Sequence, residues 1–143
     1  MIGVNKGTKL SNLFLNDNKS YEVSIKFGES TTTDDAEGEV IVTSKKKFTK
    51  SDVASTLRSF LGAQKQVPPI YSAIKIKGIP SYKYARAGRE IQLAPRRINI
   101  YEILIRDFNF PLLNLSISCS KGTYIRSLAR DIGESLGSCA HLH

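Results

Sequence analysis

The chain has 143 residues, 41% hydrophobic and 24% charged, proportions that suit one globular domain and argue against disorder. Its 21 basic and 13 acidic residues leave a net charge of +8. No apolar run approaches the roughly 18 residues of a bilayer span, the first residues show no secretory pattern, and two cysteines are too few for a disulfide framework, so a reducing, cytoplasmic setting is expected.

Tyr21 to Phe27 alternates strictly, which predicts a strand with Tyr21, Val23, Ile25 and Phe27 on one face and Gly28 as its end. A polar turn is expected from Glu29 to Gly38, then a short strand at Val40–Thr43 and an exposed link at Lys45, Lys46 and Lys47. Thr49 to Leu61 reads as a helix, capped by Thr49 with Asp52 three residues on, and stopped by Gly62. Its apolar stripe is Val53, Leu57, Phe60 and Leu61. Beyond Pro68 and Pro69, residues 70–77 alternate as a strand and Ser81 to Ala87 forms a short helix with Gly88 as its stop. Ile98–Phe108 and Leu113–Cys119 are strand-like. A helix from Thr123 to Leu136 carries Ile125, Leu128, Ala129, Ile132 and Leu136 as its stripe. Strands and helices mix without a βαβ rhythm, so the expected class is α+β, a largely antiparallel sheet with flanking helices.

The charge is lopsided: residues 1–44 hold four lysines against seven acids, whereas residues 45–143 hold 17 basic residues against six acids. Such a field favours a polyanion, nucleic acid foremost, although a basic surface also serves solubility alone. The excess is densest from Lys65 to Arg97, where Lys65, Lys75, Lys77, Lys83, Arg86, Arg89, Arg96 and Arg97 face one acid, Glu90. Tyr71, Tyr82 and Tyr84 are interleaved. Cations that hold phosphates beside rings that stack on unpaired bases suit single-stranded or looped RNA.

A second stretch, residues 119–126, runs from a strand through a tight turn into a helix. Lys121 and the free N–H groups of the helix start favour an anion there. Arg126 falls in the first turn, where a cation opposes the helix dipole, so it should answer a carboxylate or phosphate elsewhere; an ordinary surface ion pair is the plainer alternative. Arg130 lies one turn on, with Asp131 and Glu134 as further partners. Two patterns are weaker. Cys139, His141 and His143 at the chain end are read as incidental rather than as metal ligands. Asp34, Asp35 and Glu37 are read as an acidic turn, with nothing nearby expected to raise a carboxyl's pKa.

Five blocks in order resemble the bacterial tRNA pseudouridine synthase B family: residues 18–21 (NKSY), 31–38 (TTTDDAEG), 69–75 (PIYSAIK), 84–88 (YARAG) and 119–126 (CSKGTYIR). The resemblance implies isomerisation of a T-loop uridine in tRNA, with no organic cofactor and no metal. It also implies a flipped base attacked by a catalytic aspartate, which makes buried atoms accessible at a cost of about a few kcal/mol. Tyr21 matches the tyrosine that stacks on the flipped base, Arg126 the arginine that pairs with the catalytic aspartate, and Tyr124 a pocket residue. The basic segment from Lys65 to Arg97 matches the region that folds over the tRNA stem-loop, and Lys75, Lys77, Tyr82, Arg86, Arg96, Arg97 and Lys121 are the expected RNA-binding residues.

The family's nucleophile motif, of Gly-Ala-Leu-Asp-Pro type, occurs nowhere in the 143 residues, and none of Asp17, Asp34, Asp35, Asp52, Asp107 and Asp131 matches its aspartate. The expectation is therefore a partial catalytic domain, inactive alone, lacking the nucleophile segment and a C-terminal RNA-binding extension. Strands without their neighbours would favour self-association through open edges. A noncatalytic RNA-binding module or RNA-folding helper is the alternative.

Overall fold

The computed structural model describes residues 18–69, 75–76, 78–87 and 93–143. The strands are β1 (Asn18–Phe27), β2 (Glu29–Thr31), β3 (Val40–Thr43), β4 (Gly62–Gln66), β5 (Lys75–Ile76), β6 (Ile79–Pro80), β7 (Arg96–Asn109), β8 (Leu112–Ser120) and β9 (Ala140–Leu142). The helices are α1 (Lys50–Ser59), α2 (Ser81–Arg86) and α3 (Ile125–Ser135). A five-stranded sheet runs β9-β1-β8-β7-β4 with every neighbouring pair antiparallel, and β2–β3 and β5–β6 form two small ribbons. The expected α+β architecture is the one observed.

The alternation of β1 and β8 places one row of side chains under the helices. Along β8, Leu113, Leu115, Ile117 and Cys119 are all buried, and along β1 so are Ile25 and Phe27. Leu128, Ala129 and Ile132 of α3 and Val53 and Leu57 of α1 close over them. Each such aliphatic side chain contributes roughly 1.5–3 kcal/mol by leaving water. The opposite face of β8 carries Asn114, Ser116, Ser118 and Ser120, as a half-solvated antiparallel sheet allows.

Several local expectations need correction. Glu29–Thr31 is not turn but strand, paired with β3. Leu61 is 45% exposed, because the first helix ends at its C-cap, Phe60, and Leu61 has already left the stripe. Gly62 opens β4, a strand that lacks apolar alternation and pairs through its backbone with β7. The last helix is capped by Tyr124, so Thr123 precedes it. A strand not expected from the sequence stands near the chain end: Ala140–Leu142 pairs with Phe27–Ile25, and His141 is buried with Nε2 3.6 Å from Glu29. Of the strand expected over 70–77, only Lys75–Ile76 is among the described residues, and Gly88 lies outside them.

Candidate functional site

Three chain segments meet at the start of α3. β8 ends at Ser120, and a tight turn leads on, with the Thr123 N–H donating to the Ser120 carbonyl at 3.3 Å. Gly122 has φ +87 there, a left-handed value that explains why glycine follows Lys121. Tyr124 caps α3 without a side-chain hydrogen bond of its own. The buried side chain of Gln66, at the end of β4, does the tethering. Its Oε1 accepts from the Tyr124 N–H at 2.9 Å, and its Nε2 donates to the Tyr124 carbonyl at 3.0 Å.

The turn after β2 is the third segment. Arg126 Nη1 donates to the Thr33 carbonyl at 3.1 Å and lies 3.9 Å from Asp35 Oδ2. Arg130 Nη1 donates to Asp34 Oδ2 at 3.2 Å, and its Nε donates to Asp131 Oδ1 at 3.0 Å. The acidic turn is thus a docking point for two arginines of α3. Its backbone is fixed as well: the Asp34 carbonyl accepts from the Leu142 N–H at 2.9 Å, and Asp35 bridges Leu142. The expectation that nothing raises a carboxyl here is corrected. Burial pushes Asp34 above its ordinary value, opposed by the Arg130 and Arg126 charges, and burial raises Asp131 likewise.

Tyr21 pairs directly with Ile117, which is buried, so its side chain belongs to the helix-covered face of the sheet. It is nevertheless 37% exposed. Along β1, burial deepens from Tyr21 through the half-buried Val23 to the fully enclosed Ile25. Ser120, where the chain turns toward α3, lies three residues beyond Ile117, about 10 Å along the strand. Tyr21 and the start of α3, where Tyr124 and Arg126 are half-buried, therefore lie toward the same end of the sheet.

Three of the cations expected to contact RNA lie near this end. Lys121 is exposed in the turn before α3, and Arg96 and Arg97 are exposed where β7 begins, opposite Gln66 and Lys65. On α2 the Arg86 guanidinium lies 5.2 Å above the half-buried Tyr82 ring, a cation–π pair. Lys75 pairs through its backbone with Pro80; Lys77 and Tyr71 lie outside the described residues. A separate cleft of about 460 Å³, lined by Lys46, Lys47 and Ser135 among others, sits at the opposite end of α3. Among the described residues no cluster of three or more metal-ligating side chains occurs, and no helix is long and apolar enough to cross a membrane.

Sequence reasoning singled out Arg126 but missed Gln66, whose partner is 58 positions away, and the Asp34–Arg130 pair, 96 positions apart. For Asp34 a faint signal existed, since an aspartate tolerates the left-handed φ of 64 that its turn requires.

Comparison with known proteins agrees with this architecture. The chain is 43% identical over 137 residues to tRNA pseudouridine synthase B of Blochmanniella floridana, covering 96% of this chain and 54% of that protein. It is 41% identical over 140 residues to the Bordetella avium tRNA pseudouridine synthase B, covering 96% and 57%. It spans about half the length of these relatives. Among solved structures, a chain of a Cbf5-Nop10-Gar1 complex superposes with a TM-score of 0.60 at 21% identity, over 88% of this chain and 28% of that one. A chain of an H/ACA RNP bound to a substrate RNA containing 2'-deoxyuridine superposes with a TM-score of 0.55 at 17% identity, over 88% and 26%. At those identities the likeness is one of fold. Residues 1–125 match the model of the TruB family pseudouridylate synthase N-terminal domain, and the chain belongs to that family.

Proposed function

We propose that this chain forms the base-pocket and RNA-contacting part of a tRNA pseudouridine synthase acting on a T-loop uridine. Family membership sets the reaction class, and the reading of the site is supported by the register: Tyr21 and the start of α3, which carries Tyr124 and Arg126, lie toward one end of the main sheet although over a hundred residues separate Tyr21 from Arg126. Tyr21 offers a partly exposed ring against which a flipped base stacks, offsetting unstacking by on the order of 1–3 kcal/mol. Arg126, held by the Thr33 carbonyl, presents a fixed cation that keeps a nearby aspartate ionised and oriented. That aspartate attacks the nucleoside, the N-glycosidic bond breaks, and the base turns and rejoins the ribose through carbon. Isomerisation conserves every atom and requires no redox partner.

The family's nucleophile motif is not among the 143 residues, so in this reading the chain is a partial catalytic domain that does not convert uridine by itself. Lys75, Lys77, Tyr82, Arg86, Arg96, Arg97 and Lys121 contact the T stem-loop through phosphates and stacking. Self-association through open strand edges and a cytoplasmic location belong to the same proposal; β4 is an edge of the main sheet.

The test is pseudouridine formation on unmodified tRNA by the chain with and without an added segment bearing the family's nucleophile motif. Turnover only with the added segment supports the enzyme. Turnover by the chain alone overturns the assignment of the nucleophile, and tight tRNA binding with no turnover in either mixture favours the noncatalytic helper.

A further inference from the structure

Arg130 spends all three guanidinium nitrogens on three different segments. Besides Nη1 on Asp34 and Nε on Asp131, its Nη2 donates to the Val67 carbonyl at 2.9 Å. Val67 stands where β4 has ended and Pro68 and Pro69 follow. Prolines have no N–H, so the ladder stops there, and the carbonyl of the exposed Val67 takes its donor from Arg130. Pro69 is fully buried, which fixes the path of the chain as it leaves. This is the root of the basic segment that ends at Arg97. The same guanidinium grips Asp34, whose neighbours Thr33 and Asp35 hold Arg126.

We propose that Arg130 is a positioning residue that clamps the root of the basic segment, at the Val67 carbonyl, to the turn that holds Arg126. The clamp couples RNA contact by the segment to the placement of the Arg126 cation, and in that respect it rests on the RNA-binding reading above. Only a planar fork serves all three acceptors in their fixed directions; a lysine ammonium in the same place keeps the charge but not the geometry. Burial favours the neutral forms of Asp34 and Asp131, and the Arg130 charge opposes it at both carboxyls. The clamp is therefore also what keeps the acidic turn compatible with its half-buried position.

The test uses Arg130→Lys and Asp34→Asn in the full chain. It reads affinity for an unmodified T-arm RNA hairpin across a salt series, thermal midpoint, and the rate of tryptic cleavage between residues 65 and 97. Arg130→Lys is expected to weaken hairpin binding by about threefold to tenfold with the salt slope unchanged, and to speed cleavage in the segment. Asp34→Asn, which keeps an oxygen facing Nη1, is expected to move both readouts the same way by less. A salt slope reduced by about one unit in Arg130→Lys overturns the clamp in favour of a direct phosphate contact. Unchanged affinity and cleavage in a folded Arg130→Lys protein also overturn it. Should Arg130→Lys not fold, Asp34→Asn decides by the same criteria. If the wild-type chain binds no hairpin, the RNA reading has failed separately, and cleavage alone judges the clamp: faster cleavage upholds it and an unchanged rate overturns it.

Discussion

Gln66 and Tyr124 are joined side chain to backbone by two hydrogen bonds, so a strand on the edge of the main sheet tethers the backbone of the N-cap residue of α3. The amide is suited to this because it donates and accepts at once. Gln66→Ala leaves the Tyr124 N–H without this acceptor and opens a gap in a buried site. A loss of roughly 2 kcal/mol in urea unfolding is expected, in line with one unsatisfied buried polar group. Gln66→Glu retains an acceptor for the Tyr124 N–H but turns an acceptor toward the Tyr124 carbonyl, so it should destabilise at neutral pH and recover part of the loss on acidification. A neutral outcome for both variants would remove Gln66 from the account of how the site is held.

The entry to α1 offers a control in a different place. Thr49 Oγ1 accepts from the Asp52 N–H at 3.2 Å, and Asp52 Oδ2 accepts from the Thr49 N–H at 2.9 Å, a reciprocal capping box. Thr49→Ala should cost about 1 kcal/mol of stability, measured by thermal unfolding. Hairpin affinity of the folded protein should not change, because the box lies outside the Tyr21–Arg126 end of the fold. A matching loss of affinity would mean that α1 belongs to the RNA surface.

Elements with their own periodicity were readable in the sequence. β8 alternates through every residue and α3 repeats its apolar positions over its whole length, so both stand where their patterns put them. β4, of sequence GAQKQ, has no apolar row to announce it; it is a strand because β7 offers a backbone edge. β9 is three residues long and owes its burial to α3 rather than to composition. The site divides the same way. A first-turn arginine is unfavourable to its helix and so asks for a partner, which made Arg126 visible. Gln66 and Arg130 carry no local cost, and their roles, like the pairing of Asp34 with Arg130, arise from contacts across the fold.

The acidic turn predicts a characteristic pH response. Asp34 and Asp131 are raised above 3.8, mainly by burial, so each holds its proton more tightly when folded. Their contribution to stability is complete below 3.8 and is lost as pH rises through the raised values. Glu29 runs the other way: the Lys26 hydrogen bond holds it below 4.5, so its contribution is present above 4.5 and lost as pH falls through the lowered value. Asp34→Asn removes one of the raised carboxyls while leaving Glu29 in place. Its stability relative to wild type should therefore improve as pH increases through the window just above 3.8, read from urea unfolding at stepped pH. A relative stability that worsens with pH would show that the Arg130 attraction outweighs burial at this carboxylate.

Helix α3 and strand β9 approach each other closely at Gly133, and the turn that docks Arg126 is bonded to the same strand. A Cβ built at Gly133 falls 2.6 Å from the Ala140 nitrogen and Cβ and 2.7 Å from the Cys139 carbonyl carbon. Two of those three atoms are backbone, so no side-chain rotation relieves the clash. Gly133→Ala gains about 1 kcal/mol in helix propensity, yet overpacking of this kind costs typically about 1–3 kcal/mol, and a net loss of stability in urea unfolding is expected. Ala140→Gly in the same chain removes only the Cβ part of the clash and should restore a minority of the loss. Since β9 fixes the Asp34 carbonyl through the Leu142 N–H, a shifted β9 should also loosen the 33–35 turn. Amide exchange at Leu142 should accelerate in Gly133→Ala more than exchange at His143, whose N–H is held by Ser24 of the central sheet. If the substitution proves stabilising, helix and strand separate more easily than the packing implies, and the turn is held by its arginines alone.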